Sequence, residues 1–160
     1  MIRNVGTADA PDICRIYNKY VLASTFTFEE DPVSESEMES RISEVTKEYP
    51  WLVFEADNKV VGYTYARRWR DRAAYKHSVE TGTYLDANYM GKGIGTELKK
   101  AMIDELKKRS FHSVIAGIAL PNPASIALSE KFGFAKVAHF KEVGYKMGKW
   151  IDVGYWELLL

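Results

Sequence analysis

The chain has one cysteine, Cys14, in 160 residues. An internal disulfide and any multi-cysteine metal site are therefore excluded. Cys14 falls on an apolar helical face, which predicts a buried small hydrophobe rather than a nucleophile. Neither sign of charge is in excess: 22 Lys and Arg stand against 22 Asp and Glu. A dedicated nucleic-acid binder would be basic overall, so that class is set aside. No apolar run approaches the ~18 residues needed to span a bilayer, so no membrane partner is expected. Met1-Ile2-Arg3-Asn4 lacks the apolar core of a signal peptide. The expectation is a cytoplasmic protein. His77, His112 and His139 show no metal-ligand spacing, and no metal is expected.

What the sequence does have is aromatic side chains, 10 Tyr, 7 Phe and 4 Trp, which suit a lined small-molecule pocket, an oligomer interface or a core. The length predicts one domain over residues 1–160, with a sizeable core. Met1 to Gly6 reads as a strand. Ile13, Ile16, Tyr17, Tyr20 and Val21 recur at helical spacing. Ser34 with Glu37 predicts a capping box opening a second helix with the stripe Met38, Ile42 and Val45. Trp51–Ala56 and Val60–Ala66 form a hairpin about Asp57-Asn58-Lys59. Arg67 to Lys76 reads as a polar loop, and His77 to Leu85 as the next strand. Leu98, Ala101, Met102 and Leu106 mark one face of a long helix, with Lys99, Lys100, Lys107 and Lys108 assigned to its solvated face. Ser113–Ala119 reads as a buried strand, and Asn122-Pro123-Ala124-Ser125 opens a helix closed by Gly133. Phe134–Phe140 and Asp152–Leu159 read as strands separated by a turn-rich loop, Gly144–Trp150. The fold class that follows is α/β, with a mixed central sheet flanked by helices.

Between strand 77–85 and the long helix lies Met90-Gly91-Lys92-Gly93-Ile94-Gly95-Thr96. Glycines allow a tight turn and close ligand approach, and the helix end supplies free N–H groups and a positive dipole end. That combination binds phosphate or pyrophosphate. The dinucleotide fingerprint Gly-x-Gly-x-x-Gly fails, because its third glycine would fall on Thr96 or Leu98. No Gly-Lys-Ser/Thr follows, so a nucleotide P-loop fails too.

The spacing resembles the acyl-CoA loop of the GNAT superfamily of N-acetyltransferases, Gln/Arg-x-x-Gly-x-Gly/Ala, at Gly93 and Gly95, with Met90 in place of the polar first residue. Further runs resemble its phosphinothricin/methionine sulfoximine acetyltransferase branch. They are Tyr49-Pro50-Trp51-Leu52-Val53, Ala74-Tyr75, Ser78-Val79-Glu80, Leu120-Pro121-Asn122 and Lys146-x-Gly148-x-Trp150-x-Asp152-Val153-Gly154-x-Trp156. The resemblance covers about residues 1 to 158. It implies a GNAT fold with a mostly antiparallel sheet. It also implies transfer of an acetyl group from acetyl-CoA, as co-substrate, to the primary amine of a small amino-acid-like acceptor.

The resemblance also implies roles. Glu80 would be the general base, with partial burial among uncharged neighbours raising its pKa toward neutrality. The Leu85 amide would be the oxyanion donor. The cofactor would lie against Tyr84, Leu85 and the amides of Met90, Gly91, Lys92, Gly93, Ile94, Gly95 and Thr96, with polar contacts from Asn122 and Ser125. The family's acid, Tyr or His four residues before the Gly-Phe pair, is replaced here by Ser129. Either Ser129 holds a relaying water, or the thiolate leaves unprotonated, since thiol pKa values lie at about 8–9; a slow enzyme or another substrate is a third reading.

Phe28, Trp69, Arg70, Arg72, Tyr75 and Tyr155 are expected at the acceptor, the arginines suiting a carboxylate or phosphinate. Gly82 suggests a bulge or a close ligand approach within its strand. A polyamine or peptide N-terminus as acceptor, and a non-catalytic acyl-CoA-binding domain, stand as alternatives. A homodimer is implied, with Trp150, Tyr155 and Trp156 as candidates for its interface.

Overall fold

A computed structural model describes residues 1–160. Seven strands form one sheet in the order β1-β2-β3-β4-β5-β7-β6. They are β1 (Ile2–Asn4), β2 (Trp51–Ala56), β3 (Lys59–Arg68), β4 (Ser78–Leu85), β5 (Ser113–Ala119), β6 (Ala135–Lys146) and β7 (Lys149–Leu159). The helices are α1 (Ala10–Ala23), α2 (Glu35–Val45), α3 (Ile94–Lys108) and α4 (Pro123–Lys131). Every neighbouring pair is antiparallel except β4 and β5, which α3 connects as a crossover. The architecture is α/β with a mixed, mostly antiparallel sheet.

Two cores lie against this sheet. One joins α1 and α2 to β2 and β3, through Ile13, Ile16, Met38, Ile42, Val53 and Tyr63 among others. The second joins α3 to β4, β5 and β7, through Leu98, Met102, Leu106, Val79, Val114 and Trp156. Cys14 is buried in the first, as its helical position predicts. Ser34 caps α2 by accepting the Glu37 N–H at 3.2 Å.

The structure differs from the sequence reading at four places. Strand β3 continues to Arg68, so the first two residues of the expected 67–76 loop are paired with β4. The expected loop 144–150 is instead the end of a long hairpin, with Tyr145 opposite Trp150 and Lys146 opposite Lys149. Its turn is only Met147-Gly148, both at positive φ (54° and 72°), the mirror-image turn whose twist suits a hairpin. Lys99 is not on the solvated face of α3. It is 5% exposed, with Nζ 4.2 Å from the centre of the Phe134 ring. Gly95, Lys99 and Ile103 recur every fourth residue and all three are buried, so the buried stripe of α3 is wider than the Leu98–Met102–Leu106 line. Trp156 is a core residue at 2% exposure and is no candidate for a surface contact.

Candidate active site

The site begins where two strands part. β4 and β5 share register only from Ser78–Ser113 to Glu80–Ile115. Beyond Glu80 they have no register partners, and a cleft of about 830 Å³ lies between and in front of them. Thr81, Gly82 and Tyr84 of β4 line it, opposite Gly117 and Ala119 of β5. Gly117 leaves room that a side chain would fill: a Cβ there would sit 2.9 Å from Glu80 Oε1 and 3.0 Å from the Tyr155 ring. Gly82 does the same for Tyr65, whose ring would meet an added Cβ at 2.9 Å. Of the bulge and the close approach read from the sequence, the bulge is absent, since β4 is regular there.

Glu80 lines the cleft, and its expected uncharged surroundings are not what the sheet gives it. Arg67 is its register partner on β3, and Arg67 Nη2 donates to Glu80 Oε2 at 2.9 Å. Gly117 lies on the other side, toward Oε1. A second ion pair lies across the cleft, where Arg41 of α2 donates to both oxygens of Glu29 at 2.9 and 2.6 Å. These bonds to Arg41 hold the Glu29 carboxyl below its usual range. Tyr17 also donates to Glu29 and lies 2.6 Å from Thr27 Oγ1.

The wall between these pairs is aromatic. The Tyr84 ring lies edge-on to Tyr17 and Tyr20 at 5.1 and 5.2 Å and stacks on Tyr63 at 5.5 Å. Burial pushes the phenols of Tyr17, Tyr20, Tyr63, Tyr65 and Tyr84 up, so they remain neutral O–H groups at neutral pH. Tyr20 uses its O–H to bind the Leu85 carbonyl at 2.7 Å, tying the end of β4 to α1.

The loop between α1 and α2 closes the outer side. Lys146 Nζ, on β6, donates to the Thr27 carbonyl at 2.8 Å across 119 positions of sequence. Phe28 lies against Gly144, where an added Cβ would come within 2.4 Å of its ring. Asn18 holds Val33 by two bonds, donating to its carbonyl at 2.9 Å and accepting its N–H at 2.8 Å.

At the end of β4 the chain turns through Asp86 and a short 3-10 turn, Ala87–Tyr89, into the glycine loop. Asp86 is buried, accepts the Asn88 N–H at 3.0 Å, and pairs with Arg15 and, at 3.9 Å, Lys19. The Asn88 bond, with these cations, holds its carboxyl below the usual range. Gly91 and Gly93 have φ of 75° and 84°, the left-handed region that only glycine enters cheaply, and nothing lies within 4 Å of where a Cβ would be. Gly95 differs: it is inside α3, where an added Cβ would meet Leu85 at 3.4 Å and Leu128 at 3.6 Å, ordinary contact distances. The first N–H groups of α3 have no intrahelical acceptor and face this loop.

Residues 2–154 match the family described as "Acetyltransferase (GNAT) domain". Across 98% of its length the chain is 35% identical to a phosphinothricin N-acetyltransferase of Streptomyces viridochromogenes, 85% of which is covered. This chain belongs to the GNAT family of N-acetyltransferases. It is also 33% identical to an L-methionine sulfoximine/L-methionine sulfone acetyltransferase of Pseudomonas aeruginosa, over 99% of this chain and 94% of that protein. A phosphinothricin acetyltransferase of the same superfamily from Sinorhizobium meliloti, crystallised in complex with AcCoA, matches at TM-score 0.96 and 36% identity, covering 100% of this chain and 88% of that one.

Within this GNAT enzyme the residues named from the sequence fall into groups. Glu80, Tyr84, Phe28 and Tyr155 line the cleft together. Leu85 stands at the far end of β4, its side chain against Gly62 and Gly95. Met90 through Thr96 form the glycine loop and the first turn of α3, with Met90 exposed. Asn122 caps α4, accepting the Ser125 N–H at 3.2 Å. Ser129 is buried at 2% exposure, outside the cleft lining; its carbonyl accepts the N–H groups of Phe132 and Phe134. Trp69 is outside the lining, its ring T-shaped to that of Tyr155 at 5.6 Å. Arg70 stacks over Trp69 at 4.1 Å, and Arg70, Arg72 and Tyr75 are exposed and outside the lining.

The arginines that do line the cleft are Arg67 and Arg41, which sequence reasoning did not single out. Arg67 was legible in principle. Tyr63, Tyr65 and Arg67 alternate along one strand and share a face. Arg41 gave no such signal, because its role depends on how α2 packs.

Proposed function

We propose that this GNAT N-acetyltransferase moves the acetyl group of acetyl-CoA to the primary amine of a small amino-acid-like acceptor bound in the β4–β5 cleft. The observation that carries this reading is Glu80, at the point where the two strands part, with one oxygen bound to Arg67 and the other toward the Gly117 side. Supporting it are the relatives' named activities on phosphinothricin and methionine sulfoximine.

In this reading Glu80 takes a proton from the bound ammonium, directly or through one water, and frees the nitrogen lone pair. The amine attacks the thioester carbonyl. The Leu85 N–H donates to the oxygen as it becomes anionic. Collapse re-forms the carbonyl and breaks the C–S bond, while the nitrogen, cationic since the attack, gives its remaining extra proton to solvent; CoA leaves as thiolate. Its proton comes from solvent, since Ser129 is buried and a serine hydroxyl is too weak an acid near pH 7. The glycine loop and the first turn of α3 hold the pyrophosphate by backbone N–H groups.

The test is release of free thiol from acetyl-CoA with a panel of amino-acid sulfones, sulfoximines and phosphinates beside a polyamine and a peptide. Turnover confined to the polyamine or the peptide sinks the acceptor reading.

We also infer a homodimer that uses the tip of the β6–β7 hairpin, where Tyr145 and Trp150 pair across the strands and are each more than half exposed. Sizing chromatography of wild type beside Trp150→Glu reads this; a monomeric wild type removes it.

A further inference from the structure

Residues 25–33, between α1 and α2, form no hydrogen bond from main chain to main chain. Side chains hold their backbone instead. Ser24 Oγ accepts the Phe26 N–H at 3.3 Å, Lys146 Nζ donates to the Thr27 carbonyl at 2.8 Å, and Asn18 bonds both polar groups of Val33. Phe26, Thr27, Phe28 and Glu29 of this segment line the cleft. One wall of the cleft is therefore a strap with no secondary structure of its own. Segments held in this way open locally at low cost in a folded protein.

Ser24 and Asn18 fasten the two ends of the strap. In its middle, Glu29 is bound through its side chain by Arg41 and Tyr17. Lys146 alone bonds the main chain there, from the end of β6, where it pairs in register with Lys149. Two residues earlier, Gly144 seats the Phe28 ring. Lys146 is 3% exposed and Thr27 8%. Burying an ammonium is costly unless it is hydrogen-bonded, and the Thr27 carbonyl is the acceptor it reaches. A charged donor makes that bond roughly twice as strong as a neutral one would.

We propose that Lys146 is a positioning residue for the reaction, latching the 25–33 strap shut as the wall of the cleft that moves when the acceptor enters and leaves. Lys146 is itself outside the cleft lining. It acts through the Thr27 main chain and the Phe28 and Glu29 side chains beside it. The glycine loop lies past the end of β4 and is not bonded to the strap, so the latch governs the acceptor and not acetyl-CoA. The kinetic consequence rests on the acceptor reading above; the latch itself does not.

The experiment compares wild type, Lys146→Met and Gly144→Ala with phosphinothricin as acceptor. Methionine keeps the length of the side chain and removes the donor. Alanine at 144 puts a Cβ where the Phe28 ring lies and leaves the lysine in place. When a fraction of the molecules has the strap open, apparent acceptor affinity falls accordingly. KM for phosphinothricin should rise at least ~10-fold in Lys146→Met, the size expected for loss of a hydrogen bond to a charged group. Neither kcat nor acetyl-CoA affinity by calorimetry should fall with it. Gly144→Ala should raise KM as well. An unmoved KM in either variant overturns the proposal. So does a Lys146→Met protein that loses kcat, acetyl-CoA affinity or its fold, since that is a structural lysine.

Chymotrypsin reads the latch without an acceptor. Cleavage of a segment that opens and closes quickly tracks its open population. Cutting after Phe26 or Phe28, located by mass spectrometry, should be at least ~10-fold faster in Lys146→Met, with the rest of the chain cut no faster. Faster cutting, with no phosphinothricin turnover by wild type, keeps the latch and removes that acceptor. Turnover with unchanged cutting keeps the acceptor and removes the latch.

Discussion

Arg67 and Glu80 face each other across the β3–β4 ladder and join through one carboxylate oxygen, Oε2, at 2.9 Å. The pair fixes the glutamate's rotamer at the mouth of the strand separation. In the role proposed for Glu80, a base that meets an ammonium in one orientation benefits from being held before the substrate arrives.

Glu80→Gln keeps the side-chain shape and removes the proton acceptor. Turnover should fall roughly 10²- to 10⁴-fold, the usual contribution of a positioned base. Acetyl-CoA affinity by calorimetry should be nearly unchanged, because the glycine loop is intact. Turnover at the wild-type rate would remove Glu80 from the role of base.

Lys99 is buried against Phe134 and desolvation lowers its pKa to about 8. The unfolded chain, near 10.4, holds its proton to higher pH. Between about pH 8 and pH 10 the unfolded state therefore binds more protons, and stability rises with pH through that window. Below it both states are protonated and the burial penalty is fully present. Lys99→Met should stabilise the protein at pH 7, by on the order of 1–3 kcal/mol. The gain should shrink as the pH is raised to about 10. Urea unfolding at pH 7 and pH 10 measures both. Destabilisation at pH 7 would show that Lys99 has a favourable partner.

Gly93→Ala and Gly95→Ala should behave oppositely. Gly93 has φ of 84° with open space around it, so its cost is backbone strain, roughly 1–2 kcal/mol, together with weaker acetyl-CoA binding from a distorted loop. Gly95 is helical, and alanine gains ~1 kcal/mol of helix propensity there while meeting Leu85 at 3.4 Å, an ordinary contact. Thermal unfolding of the two variants, each with and without acetyl-CoA, separates the loss from the gain. Equal losses in both would argue against it.

Asp86→Asn tests what holds the entrance to the glycine loop. The Asn88 N–H, Arg15 and Lys19 keep the Asp86 carboxyl ionised below the ordinary range. Its contribution is thus present above the ordinary aspartate pKa and is lost as pH falls through the lower folded value. The variant should be less stable by about 2 kcal/mol at pH 7, with Arg15 left partly exposed to water. The difference should narrow steadily below about pH 4. A gap that stays constant into acid would mean the carboxylate charge is not what matters.

The sequence made continuous apolar segments plain. Trp51–Ala56 and Ser113–Ala119 are strands with the expected bounds, because a short apolar run rich in aromatic or β-branched residues and bounded by turn residues admits few other structures. The hairpin end was hidden: lysines and glycines over 144–149 resemble a loop, and only pairing with β7 makes them strand. Lys99 was hidden for a related reason, since charge was given more weight than its spacing from Gly95 and Ile103. At the site, Glu80 was found through motif resemblance; the face Arg67 occupies is readable from the alternation of Tyr63, Tyr65 and Arg67, but its partner Glu80 follows only from register, and Arg41 only from the docking of α2. Cross-strand and helix-to-loop relationships are tertiary facts with no local period.

The bond from Lys146 to the Thr27 carbonyl also bears on when the cleft comes into being. A ribosome delivers the α1–α2 loop long before β6 exists. Until the C-terminal hairpin folds back, Thr27 lacks its lysine and Phe28 lacks its seat on Gly144. Such distant pairings form late and slowly. The cleft is therefore finished among the last parts of the molecule, and a chain shortened before Gly144 would also lack β7, the strand that joins β5 to β6 and carries Val153 and Tyr155 into the cleft lining.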